Sequence, residues 1–157
     1  MRASLPLLLA LILLCGCYRP ALTDIPPGTV YIDGLRNETF YYGLDEKLNR
    51  ELSYAVNRTG SLKIVNDGDV SDYVLGGTIK SVYKDVIRTG EDDLPLEYRY
   101  RCVLHIVFEG ERIARRSFDM IRSWRYIPPY GETQESVLDR LTVFLAEEVA
   151  RTVVTSW

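Results

Sequence analysis

Apolar residues fall into one unbroken run at the start of the chain, followed by segments whose apolar positions recur with a period of about two or about four. Residues 5–14 read Leu-Pro-Leu-Leu-Leu-Ala-Leu-Ile-Leu-Leu, with Arg2 as the only preceding charge. Between residues 42 and 59, Leu44, Leu48, Leu52, Ala55 and Val56 recur at helical spacing, while Asp45, Glu46, Lys47, Asn49 and Arg50 take the opposite side. This predicts an amphipathic helix with acidic residues in its first turn and Gly60 where the chain leaves it. A second helix is predicted from Thr133, a suitable N-cap, with Val137, Leu138, Leu141, Phe144, Leu145 and Val149 as its buried face. Val143, Ala150 and Val154 form a narrower second stripe on it, open to a partner or to burial by helix curvature.

Five segments alternate or are β-branched and aromatic, as strands require. Residues 29–33 and 61–65 are short. Residues 73–83 place Tyr73, Leu75, Gly77, Ile79 and Tyr83 on one side, with Thr78, Lys80, Val82 and Lys84 on the other. Residues 98–108 alternate more regularly, with Tyr98, Tyr100, Cys102, Leu104, Ile106 and Phe108 facing one way. A turn at residues 109–111 leads into residues 112–122, where Ala114, Phe118 and Met120 mark the core side and Arg116 interrupts it. Residues 35–39 and 85–97 read as loops, the second as a solvated hairpin connection with room for strand extensions. The order β-α-β-β-β-β-α predicts a single α+β domain over residues 29–157: a largely antiparallel sheet with both helices packed on one face.

The first apolar run has about half the length a spanning helix needs. With its cationic start and small-residue end it reads as a secretory signal over residues 1–16. Leu14-Cys15-Gly16-Cys17 resembles the bacterial lipobox, which implies cleavage before Cys17 and acylation of that cysteine as a membrane anchor. The alternative is an ordinary secretory signal with Cys17 free or in a disulfide. Residues 17–28 carry Pro20, Pro26, Pro27 and Gly28 and read as an extended tether. Lipidation of Cys17 leaves Cys102 alone, so no disulfide is expected in the domain.

The chain has a formal net charge of −3, which argues against nucleic acid as a partner. Its one histidine, His105, lies on the polar side of a strand, and no second histidine accompanies it to build a metal site. Cys102 falls on the core side of the same strand, as a buried apolar residue would. Neither a nucleophile elbow nor a phosphate-binding glycine loop is present, so the expectation is a protein that is not an enzyme and needs no cofactor or metal. Two features stand out. Lys80, Lys84, Arg99 and Arg101 share the outward register of neighbouring strands, which is either a solubilising surface or a patch for an anionic partner. The segment Trp124-Arg-Tyr126-Ile-Pro-Pro-Tyr130 is rich in the residue types that dominate interfaces, which makes Tyr126 and Tyr130 candidate partner contacts, while Trp124 continues the core register.

Taken together, the lipobox Cys17, residues 30–39 (Val-Tyr-Ile-Asp-Gly-Leu-Arg-Asn-Glu-Thr), the helix and short strand ending at Val65, residues 72–79 (Asp-Tyr-Val-Leu-Gly-Gly-Thr-Ile) and the final amphipathic helix ending in Trp157 resemble the lipopolysaccharide-assembly lipoprotein family, LptE. The order and spacing of these segments carry the resemblance, which covers the whole chain after the signal. It implies an outer-membrane lipoprotein facing the periplasm, docked to an LptD-type β-barrel and assisting insertion of lipopolysaccharide into the outer leaflet. Lipopolysaccharide phosphates would suit the basic patch. Several of the same segments also resemble periplasmic lipoproteins that activate cell-wall synthases or build secretion complexes, and this is the alternative reading.

Overall fold

The computed structural model describes residues 25–111 and 113–155. The signal over residues 1–16, the lipidation site Cys17 and Trp157 lie outside them, as do residues 18–24 of the expected tether. Five strands and two helices follow in the predicted order: β1 (Gly28–Asn37), α1 (Leu44–Thr59), β2 (Leu62–Val65), β3 (Tyr73–Thr89), β4 (Pro95–Gly110), β5 (Ile113–Tyr126) and α2 (Gln134–Thr155). The strands make one sheet in the order β2-β1-β3-β4-β5. β1 runs parallel to both β2 and β3, whereas the longer β3–β4 and β4–β5 ladders are antiparallel.

Burial follows the alternation. Tyr100, Cys102, Leu104, Ile106 and Phe108 of β4 are buried, together with Leu48, Leu52 and Val56 of α1 and Val137, Leu141, Leu145 and Val149 of α2, in one core. Both helices therefore lie on the even-numbered side of β4. β3 and β4 approach so closely at Gly77 that a Cβ there would sit 2.2 Å from the His105 carbonyl oxygen, which restricts the position to glycine. Gly60 ends α1 at φ 69°, in the left-handed region where glycine carries no steric penalty. At the start of α2, Thr133 Oγ1 accepts from the Ser136 N–H at 3.1 Å, the cap its sequence position predicts. Lys47 reaches Asp139 at 2.7 Å and Arg58 reaches Glu147 at 2.8 Å, tying the solvent sides of the two helices.

The strands are longer than their sequence spacing predicts. β1 continues to Asn37 through a bulge between Ile32 and Gly34, where Gly34 takes φ 83°. Asn49 of α1 accepts from the Leu35 N–H at 2.9 Å just beyond that bulge. β3 and β4 extend to Thr89 and Pro95, leaving only a tight turn closed by Gly90 N–H to Leu94 C=O at 2.9 Å. The end of the expected tether is docked: Ile25 is buried, and the Tyr73 hydroxyl donates to the Pro26 carbonyl at 3.0 Å.

Two expectations about which way residues face are corrected. A bulge between Ile79 and Ser81 resets β3, so Val82 pairs with Cys102 and Lys84 with Tyr100. Val82 and Lys84 therefore lie on the helix side, while Tyr83 turns to the open side opposite Arg101. In β5 a shift between Phe108 and Gly110 puts Ile113 against the core and leaves Ala114 exposed. Of the second stripe on α2, Ala150 and Val154 are buried, whereas Val143 remains 38 % exposed.

Candidate functional site: the two faces of the distal hairpin

Past Ile79 in β3, before Tyr100 in β4 and past Met120 in β5, no strand residue is fully buried among the described residues. This distal end of the three long strands carries most of the candidate residues, divided between two faces.

On the helix side, Lys84 stands over aromatic rings. Its Nζ is 4.1 Å from the Tyr98 ring centroid, 5.4 Å from that of Tyr126 and 5.7 Å from that of Tyr100. Tyr98 and Tyr126 stack at 5.5 Å, and Tyr41 meets Tyr100 edge-on at 6.4 Å. An ammonium above ring faces is held by their quadrupoles. The Tyr100 hydroxyl is buried without a hydrogen-bond partner among the described residues, and burial first, then Tyr41, Tyr126 and Tyr98, pushes the phenol up to about 12. Tyr126 is thus packed into this cluster, as is Trp124 against Phe144 at 6.1 Å. Tyr130, on a short turn (Pro128–Tyr130), is 79 % exposed.

On the open side, Arg99 faces Arg125 across β4 and β5 and faces Asp85 across β3. Arg101 pairs with Asp85 at 3.6 Å, and Glu97 is shared by Arg88 at 3.8 Å and Arg125 at 3.4 Å. Among the described residues no carboxylate pairs with Arg99 within 4.0 Å. As a group, Arg88, Arg99, Arg101 and Arg125 thus form ion pairs with only two carboxylates of the described residues, Asp85 and Glu97, and Arg99 with neither. Arg99 and Arg101 hold the place the sequence predicts. Lys84 is on the other face, and Lys80 sits at the bulge, bound to Glu38 at 3.1 Å. Arg88 and Arg125 were missed because their segments read as loops. The available signal was that β5 keeps its alternation as far as Tyr126.

Further along the open side the sheet is hollowed where Gly34 and Gly76 carry no side chains. The trough, of about 490 Å³, is edged by Asp33, Arg36, Thr78, His105, Glu109 and Arg115. His105 Nδ1 lies 2.7 Å from Asp119, an exposed pair on adjacent strands. Among the described residues no three His, Cys, Asp or Glu side chains converge on a metal position. Cys102 is buried, and burial pushes its thiol up to about 12, which suppresses the nucleophilic thiolate.

The family model described as "LptE: Lipopolysaccharide-assembly" matches residues 28–156, the span of the sheet and both helices. The chain belongs to the LptE family. Solved structures share the fold of this LptE member at low sequence identity. The uncharacterized lipoprotein B of Nitrosomonas europaea superposes with a TM-score of 0.54 at 13 % identity, covering 87 % of this chain and 90 % of that one. Rare lipoprotein B of Shewanella oneidensis gives 0.52 at 13 %, covering 80 % and 89 %. A minor lipoprotein of Acinetobacter baumannii gives 0.50 at 16 %, covering 80 % and 91 %. No curated protein matches the chain. LptE is a lipopolysaccharide-assembly family, so this chain is an LptE-family lipopolysaccharide-assembly protein.

Proposed function

We propose that the chain is the non-enzymatic lipoprotein subunit of an outer-membrane lipopolysaccharide-assembly complex. It is anchored through acylated Cys17 at the periplasmic side of that membrane, with residues 18–24 as the free part of the tether. Its partner is an LptD-type β-barrel, which it plugs and helps to assemble while lipopolysaccharide is inserted into the outer leaflet. The observation that carries this reading is the LptE match over residues 28–156, which takes in every strand and helix of the fold.

Within that reading, Arg88, Arg99, Arg101 and Arg125 take lipopolysaccharide phosphates. A guanidinium offers two parallel N–H donors to a phosphate, and two carboxylates cannot neutralise four of them. Lys80 and Lys84 contribute little, because Glu38 and the tyrosine cluster hold them elsewhere. Tyr130 is a contact to the barrel, since its ring is exposed on the turn that leads from β5 into α2.

Purification of the full-length lipoprotein from detergent-solubilised outer membrane is expected to recover a very large β-barrel, and mass spectrometry to find Cys17 acylated at the N-terminus. Recovery of a peptidoglycan synthase in place of the barrel would reverse the assignment. Replacing Arg99 and Arg101 with glutamine, which removes as many charges as the control below, is expected to weaken lipopolysaccharide binding at least tenfold at low salt, where such contacts are least screened. The double change Lys80→Gln and Lys84→Gln is expected to alter it less than threefold. Equal losses in the two variants would assign binding to net charge and not to this face.

A further inference from the structure

The outer edge of β5 pairs with no other strand and is guarded by charge alone, and its flanks specify what would pair with it. β5 is 14 residues long and forms one margin of the sheet. Its register with β4 runs unbroken from Arg116 to Tyr126, and it contains neither proline nor lysine. Natural edges are protected by short length, bulges, proline or charged side chains, and over that stretch β5 has only the last. The strand carries four arginines (Arg115, Arg116, Arg122 and Arg125) against one Asp119, a guard that repels cations and admits an acidic strand.

Which backbone groups face outward follows from two side-chain contacts. The Ile121 carbonyl accepts from the Arg122 side chain at 2.9 Å, and the Ile127 N–H donates to Glu132 at 2.8 Å. Neither group is consumed by β4, so the odd-numbered residues turn their amides and carbonyls away from the sheet. Those two bonds lie at Ile121 and just past the end of β5. Arg115, Ser117, Asp119, Ser123 and Arg125 present the rest of a ladder.

Two surfaces flank that ladder. On the open side, Arg115 and Arg125 stand at the two ends and leave 71 % and 72 % of their side chains exposed despite pairing with Glu109 and Glu97, while Asp119, engaged by His105, and the exposed Ile121 lie between them. On the helix side, Trp124, Val143 and Phe144 floor an apolar hollow of about 380 Å³, bordered by Arg140 and Glu147. A strand added to β5 would alternate its side chains between these two surfaces.

From this geometry we infer that the β5 edge receives an extended segment of a partner protein whose side chains alternate between apolar and acidic. Its backbone continues the sheet, its apolar residues rest on Trp124, Val143 and Phe144, and its carboxylates meet Arg115 and Arg125. The inference goes beyond the lipopolysaccharide reading and does not depend on it, because neither lipopolysaccharide nor the barrel enters the argument or the test.

The test uses the full-length protein in detergent and a ten-residue peptide of alternating leucine and glutamate, with binding read by fluorescence anisotropy and backbone protection by hydrogen exchange. The peptide is expected to bind and to slow exchange of the odd-numbered amides from 115 to 125. A peptide of alternating leucine and lysine is expected to bind at least tenfold more weakly. So is the leucine–glutamate peptide N-methylated at alternate residues along its pairing edge, a control that leaves the protein untouched. In the protein, Val143→Glu and the pair Ser117→Pro with Ser123→Pro are each expected to cost at least tenfold in affinity. Absence of binding, equal affinity for the N-methylated peptide, or binding without slowed exchange in β5 overturns the inference. Slowed exchange of the same amides on raising protein concentration without peptide also overturns it, by giving the edge to a second copy of the chain.

Discussion

Beneath the helices, the even-numbered residues of β4 from Cys102 to Phe108 are sealed among aliphatic side chains from α1 and α2. Beyond Tyr100, the same three strands continue with the same alternation, and their helix-side residues include Lys84, Tyr98 and Tyr126 together with the half-exposed Val86. The first end is held by apolar burial, which grows with every methylene removed from water. The second is held by ring stacking and a cation above rings, each worth about 0.5–1.5 kcal/mol. A β-ladder alone therefore does not make a core. The helices decide where burial ends, and past that line the sheet is free to carry charge and aromatic surface.

The contrast breaks most sharply at Phe108. Phe108→Ala is expected to destabilise the domain by about 3–5 kcal/mol through lost burial and a residual cavity, whereas Tyr98→Ala at the distal end is expected to cost about 1 kcal/mol. Urea unfolding of both variants checks this, and similar shifts in midpoint would mean that the distal cluster is a second core. Next in size is Tyr100→Phe, at the boundary between the two ends. A buried hydroxyl without a partner is unfavourable, so its removal is expected to stabilise the fold by on the order of 1 kcal/mol. The pH dependence has a defined sign. The folded phenol is pushed up to about 12, so its contribution to stability is complete below the ordinary tyrosine pKa. That contribution is lost as pH rises from about 10 through the folded value, and Tyr100→Phe is expected to remove this part of the alkaline decline. The smallest effect is expected from Lys84→Met, which keeps the stem and removes the charge, at about 0.5–1 kcal/mol with little salt dependence. A gain in stability from that change would show that the ammonium is misplaced among the rings.

Legibility in the sequence follows the same division. The helices were readable because Leu44, Leu48, Leu52, Val137, Leu141 and Leu145 leave only one side for burial. The middle of β4 was readable because its alternation is backed by fully apolar residues. The bulge after Ile79 was not, because Ser81-Val82-Tyr83-Lys84 places an amphipathic or apolar side chain on either face in either register. Nothing local distinguishes Tyr83 inward from Val82 inward. The same ambiguity hid the shift that makes Ile113, and not Ala114, a core residue. For the arginine face, half was predicted from register alone. Arg88 and Arg125 lie in strand extensions whose flanking prolines, glycine and acidic residues read as loops, and only pairing with β4 brings them beside Arg99 and Arg101. The open edge of β5 could not be read at all, since which strand ends a sheet is a property of the topology.

Cys102 gives the molecule a clock. Its thiol is buried in the middle of β4 and pushed up to about 12, so in the closed protein a soluble thiol reagent finds neither access nor thiolate. With Cys17 acylated as proposed, labelling waits for β4 to separate from its neighbours, and the modification rate measures how often the sheet opens on its own. Measured with and without the proposed β-barrel partner, the same rate would report how far assembly closes that motion, with no residue changed and no probe introduced.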